Sequence, residues 1–166
     1  MDDLSKQELK TITIQLNPKD IFKTKNIDNL INFTLKSKLE NVCGKYGYVL
    51  PDSVNIIKRS IGKLVIHDGV SMIQYNLTYK MNTIYPNKGD IYHSEINNIT
   101  KMGIISYSTS HETDDIKDSP LLIITPHPYI EDISIYKPGM KIKIEVLDKR
   151  IKYRSKQIQV VGKIVK

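Results

Sequence analysis

From Ile91 to Val165 every apolar cluster has the length and spacing of a strand, and none has that of a helix. The runs cover residues 91–100, 103–108, 121–125, 141–147 and 157–165. In the fourth, Ile142, Ile144 and Val146 alternate with Lys141, Lys143 and Glu145. In the fifth, Ile158, Val160 and Ile164 alternate with polar neighbours. A period of two sends successive side chains to opposite faces, so each run can wall off one apolar interior. Five short strands in about 80 residues, with almost no helix, predict a small Greek-key barrel, and the OB-fold is the commonest nucleic-acid-binding barrel of that size.

The first half reads differently. TITIQL at 11–16 alternates and then meets Asn17-Pro18, which predicts a strand closed by a turn. Between Asn26 and Leu39, Ile27, Leu30, Ile31, Leu35 and Leu39 fall at helical spacing, with Asp28 in the first turn where the helix dipole favours a carboxylate. Further strand-like stretches lie at 54–57 and 63–66, on either side of Gly62. His67-Asp68-Gly69 is a hairpin signal, because Asp-Gly accepts the positive φ of a tight turn. In Ser71–Met81 the residues Ile73, Tyr75, Leu77, Tyr79 and Met81 share one face, while Gln74, Asn76, Thr78 and Lys80 share the other. That is an antiparallel strand with one wet face. Tyr85-Pro86-Asn87-Lys88-Gly89-Asp90 breaks the pattern. The expected class is α+β: residues 1–83 form an antiparallel sheet with one main helix, and residues 84–166 form an all-β OB-fold barrel.

Composition narrows the classes. The chain is 40% hydrophobic and 26% charged, ordinary for a globular protein. No apolar run approaches the roughly 18 residues of a membrane span, so no membrane contact is expected. The acidic, polar start MDDLSKQELK is unlike a signal peptide. A single cysteine excludes an internal disulfide and a cysteine-rich zinc site. These features predict an intracellular protein. The net charge of +7 resides wholly in residues 141–166, a local footprint suited to a polyanion.

Catalytic patterns are weak. The stretch NVCGKYGYVL at 41–50 lacks the glycine–lysine–hydroxyl spacing of a phosphate-binding loop, and Cys43 has no histidine in its segment to act as a base. His67, His93, His111 and His127 are scattered, without metal-ligand spacing. The acidic loop at 112–118 lacks the glycine and terminal glutamate of a calcium loop. No cofactor and no metal are expected. Binding is better supported. Barrels hold single strands through cations on the backbone and rings under the bases. Tyr107, His127 and Tyr153 are the candidate stacking groups; Lys101, Lys149, Arg150, Lys152 and Arg154 are the candidate phosphate contacts.

The order of these features resembles the stalk subunit of multisubunit DNA-directed RNA polymerases, the family of the seventh subunit of eukaryotic polymerase II and of its archaeal equivalent. The likeness rests on Leu16-Asn17-Pro18, on a helix followed by ENVCGKYGYV at 40–49, and on the junction YPNKGDI at 85–91. ITKMGI at 99–104 and the stretch from Leu121 to Pro128 continue it. The resemblance spans roughly residues 11–165, and the ordered series is more specific than any one motif. It implies a ribonucleoprotein-like tip domain, residues 1–83, that plugs into the polymerase core through Pro18, Gly44, Lys45, Tyr46, Gly47 and Tyr48. It implies an OB barrel, residues 84–166, that meets nascent single-stranded RNA. The partners implied are the large polymerase subunits and a small helical subunit equivalent to the fourth subunit of polymerase II. By this likeness the two glycines of NVCGKYGYVL serve backbone geometry rather than a reaction.

One departure stands out. Two residues after Gly103 the chain has Ile105 where such barrels often carry an aromatic, which makes the expected RNA contact weak and mostly electrostatic. The isoleucine- and asparagine-rich composition points to a diverged member from a large DNA virus, placed in host cytoplasm or virion, or in the nucleus if cellular. The competing expectation is a free-standing OB-fold RNA-binding protein acting in translation or RNA protection. A small hydrolase or nuclease has least support, for want of a carboxylate cluster or a base–nucleophile pair.

Overall fold

The computed structural model describes residues 5–166. They form an α+β fold with β1 at Ser5–Leu16, α1 at Pro18–Lys23, α2 at Ile27–Leu39, β2 at Cys43–Gly44, β3 at Gly47–Val49, β4 at Asn55–Arg59, β5 at Lys63–His67 and β6 at Val70–Ile84. The remaining strands are β7 at Ile91–Thr100, β8 at Gly103–Ser108, β9 at Leu121–Pro126, β10 at Lys141–Arg150 and β11 at Ile158–Val165. Two compact units result: Lys6–Asn41 with Val49–Thr83, and Val42–Tyr48 with Ile84–Lys166. The hairpin segment 42–48 thus belongs with the barrel, whereas the sequence grouped it with residues 1–83.

In the helix-bearing unit, β6 is paired by β1, β4 and β5. Its apolar face buries Tyr75, Leu77, Tyr79 and Met81 against Ile14 and Leu16 of β1 and Ile31 and Leu35 of α2. Asn76 and Lys80 on the other face stay exposed, as the alternation requires. The β5–β6 turn pairs His67 with Val70, and Asp68 and Gly69 take φ of 50° and 76°, the left-handed pair that matches strand twist. The Asn26 side chain caps α2 by accepting from the Asn29 N–H at 3.2 Å. Asn17-Pro18 differs from its sequence reading. It starts a short helix instead of a turn: Asn17 accepts from the Lys19 N–H at 2.9 Å, and Pro18 occupies the first turn, where its missing N–H costs nothing.

In the other unit, five strands close a barrel in the order β7-β8-β9-β11-β10 and back to β7. The β9–β11 pair is parallel; the β7–β8, β8–β9, β10–β11 and β7–β10 pairs are antiparallel. Inside lie Tyr92, Ile96, Ile104, Leu121, Ile123, Ile144, Val146, Ile158 and Val160, the inward half of each alternation. A register shift between Val146 and Asp148 adds a residue to β10 and re-aims its end. Past that bulge β10 runs on to Arg150, three residues beyond the predicted end at Leu147, and the extra residue places Arg150 opposite Gln159 on the outer face.

Candidate nucleic-acid interface

The basic run 148–156 leaves β10, turns through Tyr153 and Arg154, and returns as β11. Arg154 reverses the chain at φ 63°. Two backbone bonds fasten this turn to the 42–48 segment: the Cys43 N–H donates to the Ser155 carbonyl and the Arg154 N–H donates to the Cys43 carbonyl, both at 2.8 Å. On the opposite flank the Gln157 amide donates to the Lys117 carbonyl at 2.6 Å and the Ser119 carbonyl at 3.0 Å. The Ser155 hydroxyl donates to the Gln157 carbonyl at 2.8 Å. A cationic loop that would otherwise be a loose tip is therefore held on both sides.

Arg150, Lys152, Ser155, Gln157 and Gln159 line a pocket of about 150 Å³ between the turn and the start of β11. Arg150, Lys152, Tyr153 and Arg154 are exposed, Tyr153 by 74%. Lys149 is turned elsewhere: its ammonium sits 4.3 Å from the centre of the Tyr85 ring, a cation–π contact that commits part of its charge. Lys101 is exposed in the β7–β8 turn, and His127 is exposed in a 3-10 turn after β9. Tyr107 is half-buried on the outer side of β8, its neighbours Ser106 and Ser108 pointing inward. Of the eight candidates, the pocket joins Arg150 and Lys152 directly.

The residues expected at a core contact split between units. Pro18 opens α1 in the helix-bearing unit, while Gly44 to Tyr48 sit beside the basic turn in the other. Lys45 lies 5.7 Å from the Tyr46 ring centre, and Tyr46 is exposed at the tip. Tyr48 is buried, and desolvation raises its phenol above its ordinary pKa. Gly47 holds φ 109°, and a Cβ there would collide with the Ile84 carbonyl. Gly44 faces open space. So one glycine of NVCGKYGYVL is required by a close backbone approach and the other is not. Cys43 is buried, and desolvation pushes its thiol up to about 11, which keeps it protonated and unreactive near neutrality.

Among the described residues no group of three or more histidine, cysteine, aspartate or glutamate side chains is placed to hold a metal ion. Among the described residues no helix is long and apolar enough to cross a membrane. Sequence reasoning did not single out Ser155, Gln157, Gln159 or the Tyr85 ring. A signal existed for Gln159, since it alternates with Ile158 and Val160, whose apolar side chains mark the inward face of the strand. Compared with known proteins, the chain matches no family model and no curated protein sequence.

Proposed function

We propose that this chain is a non-catalytic stalk subunit of a multisubunit DNA-directed RNA polymerase, with a ribonucleoprotein-like tip domain that docks on the core and an OB barrel that contacts nascent RNA. The observation that carries the reading is the barrel. Its five strands, numbered in chain order, close as 1-2-3-5-4 with the third and fifth parallel, the Greek-key arrangement of an OB-fold, and its cations gather on the loop between the last two strands. Loops at that end are where OB-folds take hold of oligonucleotides.

Apolar exposure in the helix-bearing unit supports a docking role in preference to a free-standing protein. Phe22 is 87% exposed and Phe33 71% exposed, and Leu64, Ile66 and Val70 leave the β5–β6 hairpin uncovered. A protein working alone gains nothing from such side chains in water, whereas a subunit buries them against partners. The partners in this reading are the large polymerase subunits and a small helical subunit.

The test is affinity purification of the tagged chain from its native source at moderate salt. Large polymerase subunits in fixed proportion are the expected result. Recovery of RNA alone would leave the free-standing RNA-binding reading in place and remove the stalk role.

A further inference from the structure

Cross-strand register places five outward side chains in one row across the barrel. Arg150 pairs with Gln159, Gln159 with Leu122, Leu122 with Tyr107, and Tyr107 with Glu95. Neighbouring strands stand about 4.8 Å apart, so the row from Arg150 to Tyr107 spans about 14 Å. At one end it opens into the pocket lined by Arg150, Lys152, Ser155, Gln157 and Gln159. The polar groups there divide into two kinds. Ser155 and Gln157 already spend their side chains on the loop itself, bonding the Gln157, Lys117 and Ser119 carbonyls. Among the described residues, Arg150, Lys152 and Gln159 have no hydrogen bond or ion pair on their side chains. The pocket thus has a fixed floor, a rim of unused donors, and no carboxylate in its lining.

Resting on the RNA-binding reading, we propose that this row is a single-nucleotide seat for single-stranded RNA. The phosphodiester lies against Arg150 and Lys152, and the base lies across Leu122 onto the Tyr107 ring. Gln159, between them, offers its amide to the base edge. Two features fix this orientation. The donors at the pocket suit an anion, because guanidinium and ammonium groups bond phosphate oxygens without competing acceptors. The middle of the row is apolar, with Ile105, Ile124 and Val161 on the same outer surface beside Leu122, and an apolar floor suits a base face but not a phosphate.

The measurement is fluorescence anisotropy of a short labelled oligouridylate titrated with the full chain over a range of salt concentrations. Replacing Arg150→Gln and Lys152→Gln together should lower affinity and flatten the plot of log affinity against log salt by about 1.4, at about 0.7 for each lost phosphate contact on a single strand. Tyr107→Leu should weaken binding about tenfold with the salt slope unchanged, and Tyr107→Phe should bind like the wild type, since stacking needs the ring and not the hydroxyl. Lys143→Gln, on the outer face of β10 away from the row, serves as the charge control. If the unaltered protein binds no oligouridylate even at low salt, the RNA-binding reading and the seat fall together. If it binds and the Arg150/Lys152 and Tyr107 variants match it in affinity and slope, RNA binding stands and the seat is wrong. A loss confined to the Arg150/Lys152 pair, with Tyr107→Leu unaffected, also overturns the seat, because the base then lies elsewhere.

Discussion

Gly47 and Gly44 stand three residues apart in one hairpin and carry opposite constraints. At Gly47 a side chain would combine a left-handed backbone with a clash against the Ile84 carbonyl. Strain of that kind and overpacking each cost on the order of 1–3 kcal/mol. Gly47→Ala should therefore destabilise the barrel unit by about 2–4 kcal/mol in urea denaturation, while Gly44→Ala, facing open space, should stay within about 0.5 kcal/mol. Equal effects at the two positions would contradict the hairpin geometry. Cys43 yields a second test. Its folded-state pKa is raised, so the unfolded thiol ionises first as pH climbs and stability drains away between its ordinary value of 9.0 and about 11, being fully present below that window. At pH 8 a thiol reagent should leave the native protein almost unlabelled and react at once in denaturant. Rapid labelling of the native protein would mean that Cys43 is accessible.

At the scale of elements, most of the strand pattern was legible in the sequence. Its period of two survives wherever one face is buried, as from Tyr75 to Met81 and from Ile142 to Val146. Asn26 and the helix after it were legible for the same reason, since Ile31 and Leu35 repeat at the spacing that buries them. What stayed hidden depends on pairing. The bulge after Val146 turns Arg150 outward beside Gln159, and nothing local to either residue announces that. The attachment of Cys43 to Arg154 and Ser155 joins residues more than a hundred positions apart through main-chain groups that every residue possesses. Asn17-Pro18 was misread because the same pair can open a helix or close a strand. The barrel also carries an internal cost. The hydroxyls of Tyr92, Ser94, Ser106 and Thr125 are buried without a hydrogen-bond partner among the described residues. Leaving a buried hydroxyl unpaired costs about 1–3 kcal/mol. Thr125→Val keeps the shape and removes the hydroxyl, so thermal unfolding should show an unchanged or higher Tm. A clear loss of stability would reveal a partner for that oxygen.

At the scale of the molecule, the two units divide opposite surface chemistries. The helix-bearing unit exposes large apolar side chains, Phe22, Phe33, Leu64 and Ile66 among them, while the excess positive charge lies in the C-terminal part of the barrel unit. In the stalk reading the first set holds the subunit on its partners and the second meets RNA. The two roles should then separate by mutation. Leu64→Glu with Ile66→Glu places carboxylates on the exposed hairpin and should abolish co-purification of polymerase subunits without changing oligouridylate affinity. Arg150→Gln with Lys152→Gln should do the reverse. Loss of both properties in either variant would contradict the division of labour.

The central claim is tested most directly by quantitative mass spectrometry of the complex recovered with the tagged wild-type chain after a moderate-salt wash. The stalk assignment predicts the large polymerase subunits in constant ratio to the bait, together with one small helical subunit. Recovery of the bait with RNA alone, or with no polymerase subunit, would contradict it.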